Sequence, residues 1–246
     1  MFSTESDLVV VQEHPAVHER GCTGDGRPAD RWQWEHATES KPRDRLSDEL
    51  FALAFNDNVS AVLPPAPFTS DVAVLQDALT NTIRASGRTA LFDAIAAGLD
   101  YLGRGRHERR VLVIVSDGGD NASHTTFQEV VTKTQASNAV IYTVAIVDPV
   151  ERDANPGLLR RIAQANGGEA FTPQNADDIT DVLQQIARDI RHTYTLGYIS
   201  TNGARDGAFR QIRLIVQSPD RRRLVVRTRS GYLASLPKPR RDGDVR

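Results

Sequence analysis

Apolar positions change their spacing along the chain, and each change marks an element. Residues 111–115 form an unbroken aliphatic run, and 139–147 repeats it with Val140, Ile141, Val144, Ile146 and Val147. A strand with one wet face alternates, whereas an unalternated run suits a strand covered on both faces of a parallel sheet. Residues 50–55, closed by the turn formers Asn56, Asp57 and Asn58, read as a third strand. Between and beyond the strands the period becomes helical. Val72, Leu75, Leu79 and Ile83 follow Ser70 as a candidate cap, and Leu91, Phe92, Ile95, Leu99 and Leu102 follow Gly87 and Thr89. Phe127, Val130, Val131 and Thr134 predict a further helix. Pro156, Leu158, Leu159 and Ile162 before Gly167-Gly168 predict another, with proline first and glycine last. A short strand at Ala170 and Phe171 leads into a long amphipathic helix over 177–190, with Ile179, Val182, Leu183, Ile186 and Ile190 on one face. The alternation predicts βαβ units: an α/β, Rossmann-like, doubly wound and mostly parallel sheet.

Two regions break the rhythm. Segments 194–199, 210–217 and 224–232 read as strands between Gly, Asp and Pro turns, which predicts a small C-terminal antiparallel β appendage. Residues 12–45 hold Trp32, Trp34, His14, His18 and His36, but Val17 is their one aliphatic residue larger than alanine, so no buried strand or amphipathic helix can be written through them. The expected organisation is an irregular, degenerate segment over 1–47, the α/β domain over 48–191, the appendage over 192–236 and a disordered tail over 237–246.

Charge and composition narrow the function classes. With 30 basic against 32 acidic residues the net charge is −2, which supplies no field for a phosphate backbone, so nucleic acid is not an expected partner. Arg221, Arg222 and Arg223 lie between two strand-like segments and read as a solvated hairpin tip. The single cysteine, Cys22, excludes an intrachain disulfide and a Cys-rich zinc site. The apolar run 8–11 is too short for a signal-peptide core or a membrane span. Neither a span nor a signal peptide is expected in these residues, and the compartment stays open.

Candidate chemistry gathers where strands end. Ser116-Asp117-Gly118-Gly119-Asp120-Asn121 directly follows the central aliphatic run, so Asp117 is expected at the carboxyl edge of a parallel sheet, where open α/β folds place their ligands. The alternative is a turn whose Asp117, Asp120 and Asn121 satisfy backbone amides and cap the next helix. Thr89 is either a helix cap or a neutral oxygen ligand facing the same edge. Gly24-Asp-Gly26-Arg-Pro28-Ala29 mimics a dinucleotide fingerprint, but no strand leads into it and Pro28 sits inside it. Ser123 beside His124 has no identifiable third orienting group, and nucleophile-elbow, zinc-protease and phosphate-loop motifs are absent, so an α/β hydrolase or phosphotransferase is a distant third reading.

Taken in order, a strand ending in Asn56-Asp57, Gly-x-Thr before Ala-Leu-Phe-Asp-Ala, and an aliphatic strand into Ser-Asp-Gly-x-Asp-Asn resemble the von Willebrand factor A domain over residues 48–191. Tyr194-Thr-Leu-Gly-Tyr198, Asp206-Gly-x-Phe209-Arg-x-Ile212 and Arg227-x-Arg229-x-Gly231-Tyr232 resemble the β extension of its bacterial VWFA-related Acidobacterial subfamily, and 2–11 resembles that subfamily's opening strand. The resemblance implies a non-enzymatic, protein-binding adhesion module in which Mg²⁺ or Mn²⁺, held at a metal-ion-dependent adhesion site, receives a partner's carboxylate. It also implies an exported protein. The threonine and aspartate loops of that site fall on Thr89 and Asp117. The first metal loop, Asp-x-Ser-x-Ser after the first strand, occurs nowhere in the sequence. If 8–11 were that strand, the loop would fall on Gln12-Glu13-His14-Pro15-Ala16; if 8–11 is ancillary, the first core strand and its helix are missing, through a deletion or an altered reading frame. Metal binding is therefore expected to be weak, with Glu13 and Asp57 as the residues able to stand in. A metal-free degenerate or structural domain is the second reading.

One aliphatic residue cannot supply the burial that offsets ordering entropy over 12–45. Limited proteolysis is expected to cut there first and to leave 48–232 intact; strong hydrogen-exchange protection across the segment would overturn this.

Overall fold

The computed structural model describes residues 7–14, 48–82, 87–107, 109–147, 153–192, 200, 202–216 and 225–234. Six strands make the main sheet: β1 (Asp7–His14), β2 (Glu49–Phe55), β3 (Val59–Ala61), β4 (Arg109–Ser116), β5 (Ala139–Ala145) and β6 (Ala170–Phe171), in the order β3-β2-β1-β4-β5-β6. β4, β5 and β6 are mutually parallel, and β1 is antiparallel to both of its neighbours, so β2 runs in the same direction as β4. β3 returns antiparallel along β2. The expected mostly parallel α/β sheet is present, with two reversed strands, one of them at its centre. The departure from expectation is β1: Gln12, Glu13 and His14, which open the stretch without a predicted element, extend the aliphatic run 8–11 into a strand. Backbone pairing, rather than side-chain pattern, carries these positions: Gln12 and Glu13 pair with both neighbours and His14 with β4.

The helices cover both faces because the strands are apolar on both. Phe51 and Leu53 of β2, Leu112 and Ile114 of β4 and Ile141 of β5 turn to one face. There they meet α2 (Leu91–Arg104), α3 (Phe127–Ala136) and α4 (Pro156–Ala165) through Leu91, Ile95, Val130 and Leu159. The alternate positions Val111, Val113, Tyr142 and Val144 pack on Ile186 and Ile190 of α5 (Ala176–Arg191). Ala52 and Val62 pack on Leu75 of α1 (Val72–Thr82). Burying each of these large side chains contributes about 1.5–3 kcal/mol.

Local chemistry sets the helix starts. Asp71, not the expected Ser70, caps α1: its Oδ1 accepts the amides of Ala73 at 2.9 Å and Val74 at 3.4 Å. A carboxylate one residue closer to the helix reaches the orphan amides better than the serine hydroxyl. Thr126 and Glu129 form a reciprocal capping box on α3, and Asn155 caps α4 ahead of Pro156.

The appendage is a two-stranded antiparallel sheet of β7 (Phe209–Gln211) and β8 (Gly231–Leu233). It is anchored beneath α3 and α4. Arg229 donates through Nη1 to Asn138 Oδ1 at 3.0 Å and through Nη2 to the Gln135 carbonyl at 3.1 Å, and Ser230 Oγ reaches the Ala165 carbonyl at 3.1 Å. The expected strand over 194–199, the Arg221–Arg223 cluster, Trp32 and Trp34 and the tail 237–246 lie outside the described residues.

Leu112 is 0% exposed at the centre of the main cluster, whereas Val225 in the appendage is 86% exposed. Leu112→Ala is expected to cost about 2–5 kcal/mol in urea unfolding and Val225→Ala less than about 0.5 kcal/mol. Equal losses would contradict this layering.

Candidate functional site

α2 starts without a cap of its own, since Ala90 at its N-cap offers no side-chain hydrogen bond. Its orphan amides are satisfied from the loop after β4. Phe92 N donates to Asp120 Oδ1 at 3.2 Å and Asp93 N to Ser123 Oγ at 3.1 Å, while Ser123 Oγ itself donates to Asp120 Oδ1 at 2.5 Å. One residue earlier the two loops join directly. Thr89 N donates to Asn121 Oδ1 at 2.8 Å, and the Thr89 carbonyl accepts the amides of Asn121 at 3.0 Å and Ala122 at 3.1 Å. Thr89 is thus not a helix cap: its backbone is the splice between two loops, and its hydroxyl makes no hydrogen bond among the described residues. Asp120 caps α2, which precedes it, rather than the following helix.

Asp117 lies beside this splice at the end of β4, half-buried. Its Oδ1 accepts the Gly119 amide at 2.8 Å, and its carbonyl accepts the Asn155 amide at 3.0 Å, tying the loop to the start of α4. Gly118 holds φ +87, and a Cβ there would overlap the Asn155 carbonyl, so only glycine lets the loop lie this close. Asp57, at the end of the β2 loop, pairs with Arg88 at 2.9 Å.

Asp93 closes the stitch from the helix side, accepting the amides of His124 at 2.9 Å and Thr125 at 2.8 Å. Partial burial pushes its carboxyl upward, but the hydrogen bonds from the Thr125 hydroxyl and the two amides outweigh that and hold it at about 2. The sequence placed Asp93 inside Ala-Leu-Phe-Asp-Ala without assigning it a role; its position in the first turn of α2 was the available signal.

The direction of β1 decides what else reaches this edge. Leu8 pairs with Val115 and His14 with Arg109, so the carboxyl end of β1 lies at the opposite pole from Thr89 and Asp117. Glu13, opposite Arg110, stands about 20 Å along the strand from that edge, too far to act as a ligand there. The acidic residue that the register does bring to the edge is Asp7, opposite Phe55. Nothing in the sequence pointed to it, because apolar periodicity carries no strand direction.

The donors fit a divalent cation poorly. Among the described residues no group of three or more His, Cys, Asp or Glu is arranged to hold a metal. Asp57, Asp120 and Asn121 are committed to protein partners, leaving, among the loop residues whose side chains are described, the Thr89 hydroxyl and Asp117 Oδ2. Mg²⁺ asks for six oxygens and dehydrates reluctantly. Ser123 and His124 do not form a nucleophile–base pair. Ser123 Oγ is turned to Asp120, and the neighbouring His124, 97% exposed, lies 3.4 Å from Asp93 rather than against a nucleophile.

The sequence profile of the von Willebrand factor type A domain matches residues 40–187, more than half of the chain, and the chain belongs to that family. An uncharacterized membrane spanning protein from Vibrio fischeri is similar at 24% identity over 55% of this chain and 72% of its own, with a TM-score of 0.30. A von Willebrand factor type A protein from Catenulispora acidiphila is similar at 17% identity over 56% of this chain, with a TM-score of 0.46, and the chain spans 33% of its length. A comparison with curated proteins finds no match. No described helix is long and apolar enough to cross a membrane.

Because the folded-state carboxyl of Asp93 is depressed, its contribution is present above its unfolded value of 3.8 and is lost as pH falls toward about 2. Asp93→Asn is expected to cost about 1–2 kcal/mol at pH 7 after allowance for solvent screening. The gap from the parent should be largely but not wholly lost at pH 2, where the folded-state carboxyl is about half protonated. Urea unfolding at the two pH values measures it, and a gap independent of pH would refute the assignment.

Proposed function

We propose that this chain is a non-enzymatic protein-binding module of the von Willebrand factor A type, which meets its partner through the loops at the carboxyl edge of the sheet. The supporting observation is the splice of the Thr89 loop onto Asn121 and Ala122, which makes two loops distant in sequence into one rigid surface. Rigid loops at this edge lose little entropy on binding, which favours a docking surface. Thr89 and Asp117 remain the candidate metal ligands in this reading, with Asp117 acting directly or through water, at an adhesion site that lacks its first loop. The resemblance of the C-terminal strands to the VWFA-related Acidobacterial extension supports a bacterial, exported setting for such a module.

The second reading, a metal-free structural domain, draws support from the internal commitments of Asp57, Asp120 and Asn121. Both readings expect weak metal binding, because one hydroxyl and one carboxylate gain little over the hexahydrated ion. They differ at the surface: loss of partner binding on Asp117→Ala with unchanged thermal stability favours the adhesion module, and a loss of stability alone favours the structural domain.

Isothermal calorimetry with Mg²⁺ or Mn²⁺ is expected to show no saturation below about 1 mM, and the thermal midpoint should be insensitive to a chelator. Tight binding abolished by Asp117→Ala would show a rebuilt site and overturn the incomplete one.

A further inference from the structure

The chain holds two Asn-Gly pairs, Asn166-Gly167 and Asn202-Gly203, and the fold gives them opposite surroundings. Asn166 is 4% exposed at the end of α4, and its Nδ2 donates to the Thr134 carbonyl at 2.6 Å, to Ser137 Oγ at 3.1 Å and to the Ala139 carbonyl at 2.9 Å. The Gly167 amide donates to the Gln164 carbonyl at 3.4 Å, and the main chain of Thr228 and Arg229 lies against this glycine. Asn202 and Gly203 stand exposed in the loop ahead of β7. Among the described residues neither the Gly203 amide nor Asn202 Nδ2 makes a hydrogen bond. Asn202 Oδ1 accepts the Ala204 amide at 3.1 Å, the turn in which asparagine bonds its own main chain two residues on. Ser200 Oγ accepts the Asn202 amide at 3.3 Å and Arg210 donates to the Ala204 carbonyl at 2.8 Å, so the loop is held on both flanks of the pair.

We propose that Asn202 is a self-modification site, where the Gly203 amide nitrogen closes on the side-chain carbonyl carbon of Asn202 and converts that residue, without an enzyme, to aspartate and isoaspartate. This inference is independent of the reading of the carboxyl edge. In the first step the Gly203 nitrogen loses its proton to hydroxide and its electron pair forms a bond to Asn202 Cγ. The bond from Cγ to Nδ2 then breaks, and the nitrogen takes a proton from water and leaves as ammonia. In the second step water opens the five-membered ring at one of its two carbonyls. Opening at Cγ gives aspartate, and opening at the main-chain carbonyl gives isoaspartate, with the main chain routed through the side-chain carbons. One water enters and one ammonia leaves.

The loop favours the closure at each atom involved. The Gly203 amide has no acceptor to give up before it loses its proton, and no Cβ shields it. Negative charge in the tetrahedral intermediate gathers on Oδ1, where the Ala204 amide already donates, as a backbone amide does in an oxyanion hole. The leaving nitrogen is bound to no described residue, whereas the same atom of Asn166 would have to break three hydrogen bonds. The neighbouring Asp206-Gly207 pair is protected differently. Ring closure from an acid needs the neutral carboxyl, and the Ala208 amide at 3.0 Å, together with Arg210 at 3.2 Å, holds the Asp206 carboxyl below the usual carboxylate range.

The test incubates the full chain in mildly alkaline buffer and follows each position by peptide mass spectrometry, which reads the replacement of an amide by an acid. Asn202 is expected to yield aspartate and isoaspartate at least about tenfold faster than Asn166 in the same sample. Unfolding in urea should speed Asn166 by more than about tenfold and Asn202 by less than about threefold, because the fold protects only the first. Gly203→Ala is sterically free, since a Cβ there meets nothing within 4 Å and this glycine is not among those at positive φ. That variant should keep the parent's thermal midpoint and slow conversion at Asn202 by about tenfold or more. If Asn202 stays intact in the folded chain, converts no faster than Asn166, or needs unfolding as Asn166 does, the proposal is overturned. If the Gly203→Ala chain converts at the parent rate, the Gly203 amide is not the nucleophile and the proposal falls with it.

Discussion

The sheet depends on a single ladder pair. β2 and β4 point the same way but do not touch; β1 lies between them and supplies the backbone partners of both. Two parallel strands separated by one antiparallel strand satisfy every amide along the shared length, and no crossover helix is needed to reverse the chain. The helices inherit that spacing. α2 can bury Leu91 and Ile95 against Phe51, Leu53, Leu112 and Ile114 because the strands bearing those residues are held at a fixed separation. The loop edge inherits it in turn, since the Thr89 loop enters from the β2 side and the Asp117 loop leaves from β4. The antiparallel direction is equally consequential: it carries the amino end of β1, with Asp7, to that edge and takes the carboxyl end away.

Much of this was legible in the chain. β4 and β5 announced themselves as unalternated aliphatic runs because burial on both faces removes every reason for alternation. α2 and α5 were readable from one-sided apolar spacing, and the Pro-first start of α4 from Pro156. What was hidden has a physical cause in each case. Gln12, Glu13 and His14 are polar, and a backbone ladder pairs them without regard to side chain. The direction of β1 leaves no mark on a period of two. Asp71 rather than Ser70 caps α1 because reach decides between adjacent candidates, and reach is a matter of ångströms. At the candidate site, the placement of Thr89 and Asp117 on one edge followed from strand ends and turn residues. Their different employment did not: Thr89 is engaged through its backbone and Asp117 through both backbone and carboxylate.

The carboxylates at the edge illustrate a conflict between holding a loop and holding a ligand. Each hydrogen bond from an amide to a charged oxygen contributes about 1.5–3 kcal/mol, and leaving such an amide orphaned at a helix start costs a comparable amount. Asp120 and Asp93 are used in this way from opposite sides of the α2 terminus, and Asp57 is neutralised by Arg88. For any of them to ligate a cation, an amide would have to lose its partner, or Arg88 its anion, while the cation shed water. A cation at this edge would therefore have to displace one of these contacts, and the hydrogen bonds already made weigh against that: in them the carboxylates hold the loops to the start of α2.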